Sequence, residues 1–328
     1  MSSLPLVILH KQLGDVLLLE PALAKLAAAT GSDVMLAARP GFAPMLELMQ
    51  HVRSLPEGLF RRASMVVSFE HRLRACIQAL TTFAPEKHLI VMRENKLNPL
   101  HRLIFSQRSA IYEGPTYRAL YYYQTMPVPE AIPFRPPRLL PPPADWMPSG
   151  LPERYVVLHT TSAWPSKSWG SAAWAEVLDK LHAAGVGPFV ITGGTEEWER
   201  AYVRELRSRT RASVIDLCGK TSLRGYLAVI AAAEMVLCID GSASHIAAAF
   251  GKPVLTVFGG PSHTPQWHYP TETSVRIDAR SFSAERKPAL ACIPVGPVFD
   301  SALALASLAR KDDLGRAVVH HSPAGTLG

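Results

Sequence analysis

Four short stretches of this chain combine residue types that could do chemistry with the small residues that let a ligand approach. In Gln12-Leu13-Gly14-Asp15, a carboxylate follows a glycine at the head of an apolar, helix-like run. Asp15 there could take a proton from a bound hydroxyl, or it could simply cap the helix. The stretch His159-Thr160-Thr161-Ser162-Ala163-Trp164-Pro165-Ser166-Lys167-Ser168-Trp169 crowds hydroxyls and backbone N–H groups around one lysine, and all of these donate to an anion. The glycines of a Walker loop are missing, so turn formation by Ser and Thr remains an alternative to phosphate binding.

The third stretch is Gly193-Gly194-Thr195-Glu196-Glu197. An acidic residue in such a place can bind both hydroxyls of a ribose, although Thr195 also suits an N-cap and glutamates suit a first helical turn. The fourth runs from Cys238-Ile239-Asp240-Gly241-Ser242-Ala243-Ser244-His245 into an alanine-rich segment ending at Gly251-Lys252-Pro253. Small side chains would let a helix N-terminus approach a pyrophosphate, with Asp240 and His245 at its border. A His245 buried against a carbonyl is the alternative.

Each stretch follows a run that reads as a buried strand. Strands are expected over 4–9, 34–37, 65–68 and 88–92, then over 155–158, 188–192, 214–217, 235–239 and 254–258. Helix-like segments alternate with them. One is expected over 16–29; in another, Trp174, Val177, Leu178 and Leu181 recur at helical spacing before a stop at Gly185. Such alternation implies parallel sheets covered by helices, and ligands in such folds lie beyond the carboxyl ends of the strands. Prolines at 133, 136, 137, 141, 142, 143, 148 and 152 break the pattern once. The expected organisation is therefore a first Rossmann-like domain over 1–135, a linker over 136–152, a second over 153–319 and a flexible tail over 320–328.

The totals agree with that reading. A length of 328 residues suits two cores, and hydrophobic and charged fractions of 48% and 19% exclude wholesale disorder. The net charge of +7 suits a protein that handles phosphates or works beside an anionic surface, although dispersed charge is commonly a solvated exterior. Arg61, Arg62, Arg72 and Arg74 are open to the same two readings. No nucleic-acid partner is expected. No apolar run reaches the ~20 residues of a membrane helix, and the N-terminus reads as a strand rather than a leader. The four cysteines, Cys76, Cys218, Cys238 and Cys292, form no C-x-x-C pair, which points away from zinc and disulfides and toward a cytoplasmic protein.

Taken in order, these motifs resemble glycosyltransferase family 9, the ADP-heptose:lipopolysaccharide heptosyltransferases. Gly14-Asp15 with Pro21-Ala22-Leu23 is similar to the opening signature, and Thr160-Thr161 with Lys167-x-Trp169 to the phosphate-binding stretch. Leu217-Cys218-Gly219-Lys220-Thr221-Ser222-Leu223 and the segment from Asp240 to Pro253 are similar to the next two. Where the family usually has Asp-Ser-Gly or Asp-Thr-Gly, this chain has Asp240-Gly241-Ser242.

The resemblance implies an α/β GT-B architecture, two Rossmann-like domains facing each other across a cleft. The donor would be a nucleotide-diphosphate heptose held mainly by the second domain; the acceptor, a glycan or lipid-linked glycan, would be held mainly by the first. Asp15 would be the base. Thr160, Thr161 and Lys167 would hold the diphosphate, Glu196 or Glu197 the ribose, and the backbone near Thr221 the adenine. Asp240 with Gly241 and Ser242 would reach the sugar or phosphates, with His245 beside them. The implied location is cytoplasmic, compatible with peripheral contact at the inner membrane. No cofactor is expected. Inverting transfer is expected, and since no Asp-x-Asp occurs in the chain it is expected to be metal-independent. Rival readings are a GT-B enzyme using another nucleotide sugar and a non-catalytic nucleotide-sugar-binding relative. A nicotinamide oxidoreductase is disfavoured because neither half has G-x-G-x-x-G after its first strand.

Overall fold

The computed structural model describes residues 3–55, 58, 60–111, 114, 116–162, 164–259, 264–268 and 271–320. The chain forms two Rossmann-like α/β units, Met1–Pro143 with His263–Tyr269 and Ala144–Ser262 with Pro270–Gly328.

In unit 1 the strands are β1 (Leu6–Ile8), β2 (Val34–Ala37), β3 (Val52–Ser54), β4 (Arg61–Arg62), β5 (Val66–Ser68), β6 (Thr82–Phe83), β7 (Lys87–Val91) and β8 (Gln107–Ala110). Six of them make one parallel sheet in the order β3-β2-β1-β5-β7-β8, and β4 and β6 pair separately. The central strands are apolar on both faces and fully buried, as helices on either side require. The chain winds outward from β1 through β2 to β3, then restarts beside β1 with β5, so the switch point lies between β1 and β5.

Unit 2 repeats the plan with β9 (Val156–His159), β10 (Phe189–Thr192), β11 (Val214–Asp216), β12 (Met235–Ile239), β13 (Val254–Phe258) and β14 (Ser274–Asp278). Their order is β11-β10-β9-β12-β13-β14, all parallel, with the switch point between β9 and β12. The Ser171–Ala183 helix turns Trp174, Val177, Leu178 and Leu181 into the core, where Trp174 meets Trp169 edge-on at 5.0 Å. It stops where expected: Gly185 takes φ +76°, and the N–H of Val186 reaches back to the Leu181 carbonyl.

Two expectations change. The helix expected over 16–29 is two helices, Leu13–Leu17 and Glu20–Thr30, because Pro21 cannot donate to the carbonyl four residues before it and instead starts the second helix. Gly14 and Asp15 therefore lie inside a helical turn that Gln12 opens, and Asp15 is not the cap. The Pro-rich segment does not stand apart as a linker. Arg135 grips the buried Glu20 with two 2.7 Å hydrogen bonds, and Arg138 and Leu140 add backbone bonds to Glu20 and Leu48, all within unit 1. From Ala144 onward the segment belongs to unit 2, where Trp146 packs beneath Arg224. The C-terminal helix runs from Val295 to His320, the first residue of the expected tail, and 321–328 lie outside the described residues.

Candidate functional site

The carboxyl ends of β9 and β12 lie side by side at the switch point of unit 2, with His159 opposite Cys238. The loop after β9 carries Thr160, Thr161 and Lys167; the loop after β12 carries Asp240 and enters the Ser242–Ala249 helix. An ion pair ties the loops together: the Lys167 ammonium donates to Asp240 Oδ2 at 2.7 Å. Two residues 73 positions apart thus form one charged pair, buried on the aspartate side and partly open on the lysine side. Thr160 is fully buried, and its hydroxyl has no partner among the described residues. A buried hydroxyl without a partner is costly unless a ligand or water satisfies it.

Thr161 is committed elsewhere. Its hydroxyl donates to Glu199 Oε1 at 2.7 Å, and the same buried carboxylate accepts from the N–H groups of Gly194 and Glu196 at 3.0 and 3.4 Å. Glu199 therefore knots the loop after β9 to the loop after β10. Glycine is required there: a Cβ on Gly194 would lie 2.1 Å from Glu199 Oε2, and one on Gly193 would lie 2.6 Å from Cys218 Sγ. The Glu197–Arg209 helix opens with Glu196 rather than Thr195 as its N-cap, in a reciprocal pairing with Glu199. Glu197 is held by Arg200 and Arg204, whereas the exposed Glu196 occupies only the cap. Thr221 is half-buried on the turn after β11, next to Gly219 at φ +69° and to Lys220, which folds back onto Asp216.

The Ser242–Ala249 helix starts at Gly241 with no side-chain cap, so its first N–H groups are not taken by a neighbouring side chain at the cap. The backbone at Gly241 is extended (φ 175°), and a Cβ there would meet only the Ile239 carbonyl, at 3.9 Å. The chain's own packing thus leaves space at this position, which a ligand could use. Ser244 bonds back to the Gly241 carbonyl, and His245 is buried in the first turn.

His159 is the part of this site that motif reading passed over. It ends β9 with Nδ1 2.9 Å from the Thr192 hydroxyl and its ring 5.5 Å from that of Tyr226. Burial pushes its pKa down to about 4, so the ring is neutral at pH 7. Glu199 was also missed, although the Glu196-x-x-Glu199 spacing before an amphipathic run is a capping signature.

Unit 1 holds Asp15, in the first turn of the Leu13–Leu17 helix, with the Lys11 ammonium 3.9 Å from its carboxylate. Nearby groups cluster at that sheet's own switch point. His10, just beyond β1, donates its backbone N–H to Glu70 Oε2 at 2.8 Å, and its Nδ1 lies 3.3 Å from the same oxygen. Hydrogen bonding from His10 holds the Glu70 carboxyl down at about 2, with Arg72 adding to the effect. Arg39 bridges the His10 carbonyl and the Gln12 side chain. Asp15 thus belongs to unit 1 and the other nine candidates to unit 2. Ala163, in the loop after β9, lies outside the described residues.

This arrangement of loops has known counterparts. The sequence profile of glycosyltransferase family 9 (heptosyltransferase) matches residues 144–288, nearly all of the site-bearing part of unit 2. Through this unit the chain is similar to glycosyltransferase family 9. Lipopolysaccharide heptosyltransferase 3 of Escherichia coli is 32% identical over 130 residues, which is 37% of this chain and 38% of that protein. The match spans little more than a third of that curated relative's length. Among solved structures, a family 9 glycosyl transferase from Veillonella parvula superposes with a TM-score of 0.77 at 16% identity, covering 93% of this chain and 97% of that one. The E. coli heptosyltransferase WaaC with ADP gives 0.72 at 18%, covering 91% and 98%. At such identities these structures show the fold alone, a likeness that extends over both units.

Proposed function

We propose that the chain is an inverting, metal-independent glycosyltransferase that moves a heptose from ADP-heptose to a hydroxyl of a lipopolysaccharide-type or other glycan acceptor. The 2.7 Å Lys167–Asp240 pair at the β9/β12 switch point carries the reading. It ties a partly exposed ammonium to the two loops that also carry the unpartnered Thr160 hydroxyl and the uncapped start of the Ser242–Ala249 helix, three kinds of donor suited to one diphosphate. The name of the E. coli relative and the ADP bound by WaaC support the choice of sugar and base.

In the reaction the acceptor oxygen attacks the anomeric carbon, the bond from that carbon to the diphosphate oxygen breaks, and Asp15 takes the hydroxyl proton. The negative charge left on ADP is met by Lys167, Thr160, Gly241 and Ser242. Lys167 and the helix end supply the stabilisation that a divalent ion would otherwise give, which is the ground for metal independence. Glu196 is the ribose ligand of choice because Glu197 is already occupied by two arginines. Thr221 stands by the adenine and His245 by the phosphates. Thr161 contributes through its loop, since its hydroxyl already serves Glu199.

A thermal-shift panel of ADP-, UDP-, GDP- and CDP-sugars tests the donor. A ligand at a hundred times its Kd stabilises the native state by about 2.7 kcal/mol, a rise in Tm of roughly 5–10 °C for a unit of this size. ADP-heptose, or a close ADP-sugar, is expected to give the largest rise. A preference for a UDP-sugar would overturn the named substrate, and no response to any of them would overturn the nucleotide site.

A further inference from the structure

In unit 1 the short stretch of chain between β1 and the Asp15 helix is held from both sides. β2 and β5 flank β1 in the sheet, and each supplies one charged side chain from the second residue past its end, Arg39 after β2 and Glu70 after β5. Glu70 accepts the His10 backbone N–H at 2.8 Å and lies 3.3 Å from the ring Nδ1. Arg39 grips the other end of the same residue: its Nε donates to the His10 carbonyl at 3.0 Å, while Nη1 donates to Gln12 Oε1 at 3.3 Å. Gln12 in turn opens the Leu13–Leu17 helix, and its carbonyl accepts from the Val16 N–H at 3.1 Å. Both jaws are braced. The Ser68 hydroxyl, buried at the end of β5, donates to the Glu70 carbonyl at 2.6 Å. Arg39 precedes Pro40, which confines it to extended backbone (φ −68°, ψ 137°), and its guanidinium lies over the Phe42 ring at 6.0 Å.

The helix that follows cannot orient itself. It has five residues and no side-chain cap, far short of the ~12 residues at which an isolated helix begins to hold in water. The Asp15 carboxylate adds little, since Lys11 Nζ stands 3.9 Å away, too far for a hydrogen bond. Its direction therefore comes from the residues that lead into it. One of the groups holding them, Glu70, is a buried carboxylate that is ionised at neutral pH. Burying such a charge is costly unless its geometry is good, and its best attested use is to hold one arrangement against others.

We infer that Arg39 and Glu70 are positioning residues for the transfer reaction, a clamp on His10 and Gln12 that sets where the Asp15 carboxylate meets the acceptor hydroxyl. The inference rests on Asp15 as the base. Neither clamp residue takes the proton; each acts through Asp15. A reacting group displaced by about 1 Å loses roughly a hundredfold in rate, so the clamp governs kcat rather than the binding of either substrate.

The test is steady-state transfer by the full chain from ADP-heptose to a heptose-free lipopolysaccharide acceptor, for Arg39→Ala, Glu70→Ala and Glu70→Gln, each alone and combined with Asp15→Asn. Arg39→Ala should lose about tenfold in kcat and Glu70→Ala about 10–100-fold, with KM for donor and acceptor within about twofold of wild type. Glu70→Gln, whose amide oxygen still accepts the His10 N–H, should recover part of the Glu70→Ala loss. In the Asp15→Asn background each substitution should cost less than about twofold more, because no base remains to be placed. Arg39→Ala alters only an exposed side chain, and it carries the test should Glu70→Ala not fold. The clamp is overturned, with Asp15 left standing as the base, if Arg39→Ala keeps kcat within about twofold of wild type, if its loss lies in acceptor KM instead, or if the losses multiply with that of Asp15→Asn. Near-normal turnover in Asp15→Asn alone would overturn the base assignment and the clamp with it.

Discussion

Replacing Lys167 with alanine perturbs the candidate site at an ion pair between its loops, and the structure sets the size of the effect. Lys167 is 24% exposed and Asp240 9%, so the pair is neither a solvated surface bridge worth under about 1 kcal/mol nor a fully enclosed one costing about 3–5 kcal/mol to break. A loss of about 1–2 kcal/mol of stability is expected, at the lower side because Asp240 has further interactions. The ligand effect should be larger. A charged hydrogen bond to a phosphate is worth roughly 1.5–3 kcal/mol, so the Kd for ADP should rise about 10–150-fold. Lys167→Arg should recover part of this, since a planar guanidinium keeps the charge but cannot place it at the same point. Removing the stranded carboxylate separates the two losses: Lys167→Ala/Asp240→Asn should regain most of the stability and none of the ADP affinity. Calorimetric titration with ADP and thermal melts of wild type, Lys167→Ala, Asp240→Asn and the double variant give the cycle. ADP affinity unchanged in Lys167→Ala would remove the lysine from the site and with it the leaving-group argument.

Thr160→Val should leave the free protein as stable as wild type, or about 1 kcal/mol more stable, because a buried unpartnered hydroxyl is replaced by a methyl; ADP binding should nevertheless weaken, as paired melts and titrations will show. Gly194→Ala forces a methyl into the Glu199 carboxylate and should cost at least about 2 kcal/mol in denaturant unfolding. The Glu70 carboxyl has its pKa lowered from 4.5 to about 2 in the folded state, so the stability it contributes is full above 4.5 and is lost as the pH falls toward 2. Glu70→Gln should therefore flatten the stability profile across that window by about 3 kcal/mol, measured from urea midpoints at successive pH values.

Much of the fold was legible because the central strands of a doubly covered parallel sheet are apolar on both faces. β1, β2, β5, β9, β10, β12 and β13 stand out on that account. Of the four edge strands of the two six-stranded sheets only β11 was expected, and the other three do not stand out. β3 (Val52–Ser54) and β8 (Gln107–Ala110) are short and partly exposed, and β14 carries Arg276 and Asp278. The four site loops were legible from small and polar residues after buried strands, but the pairings within them were not. Spacing along the chain cannot reveal that Lys167 meets Asp240, because only the adjacency of β9 and β12 brings them together. Thr161 and Thr160 look alike in the sequence, yet Glu199, 38 residues away, occupies one and leaves the other unpartnered. The His10–Glu70 contact is hidden for the same reason, being made by the neighbouring ends of β1 and β5.

The proposed reaction needs a base, and Asp15 is the residue assigned to it. The most direct measurement is the rate of transfer from ADP-heptose to a heptose-free lipopolysaccharide acceptor in EDTA, for wild type and Asp15→Asn, alongside the donor affinity of both. A positioned base contributes about 10²–10⁴-fold to rate and little to ground-state binding. Wild type should turn over in the chelator, and Asp15→Asn should lose at least about a hundredfold in kcat, with its donor affinity within about twofold of wild type. Near-normal turnover in Asp15→Asn, or a wild-type rate that stops in EDTA and returns with magnesium, would contradict it.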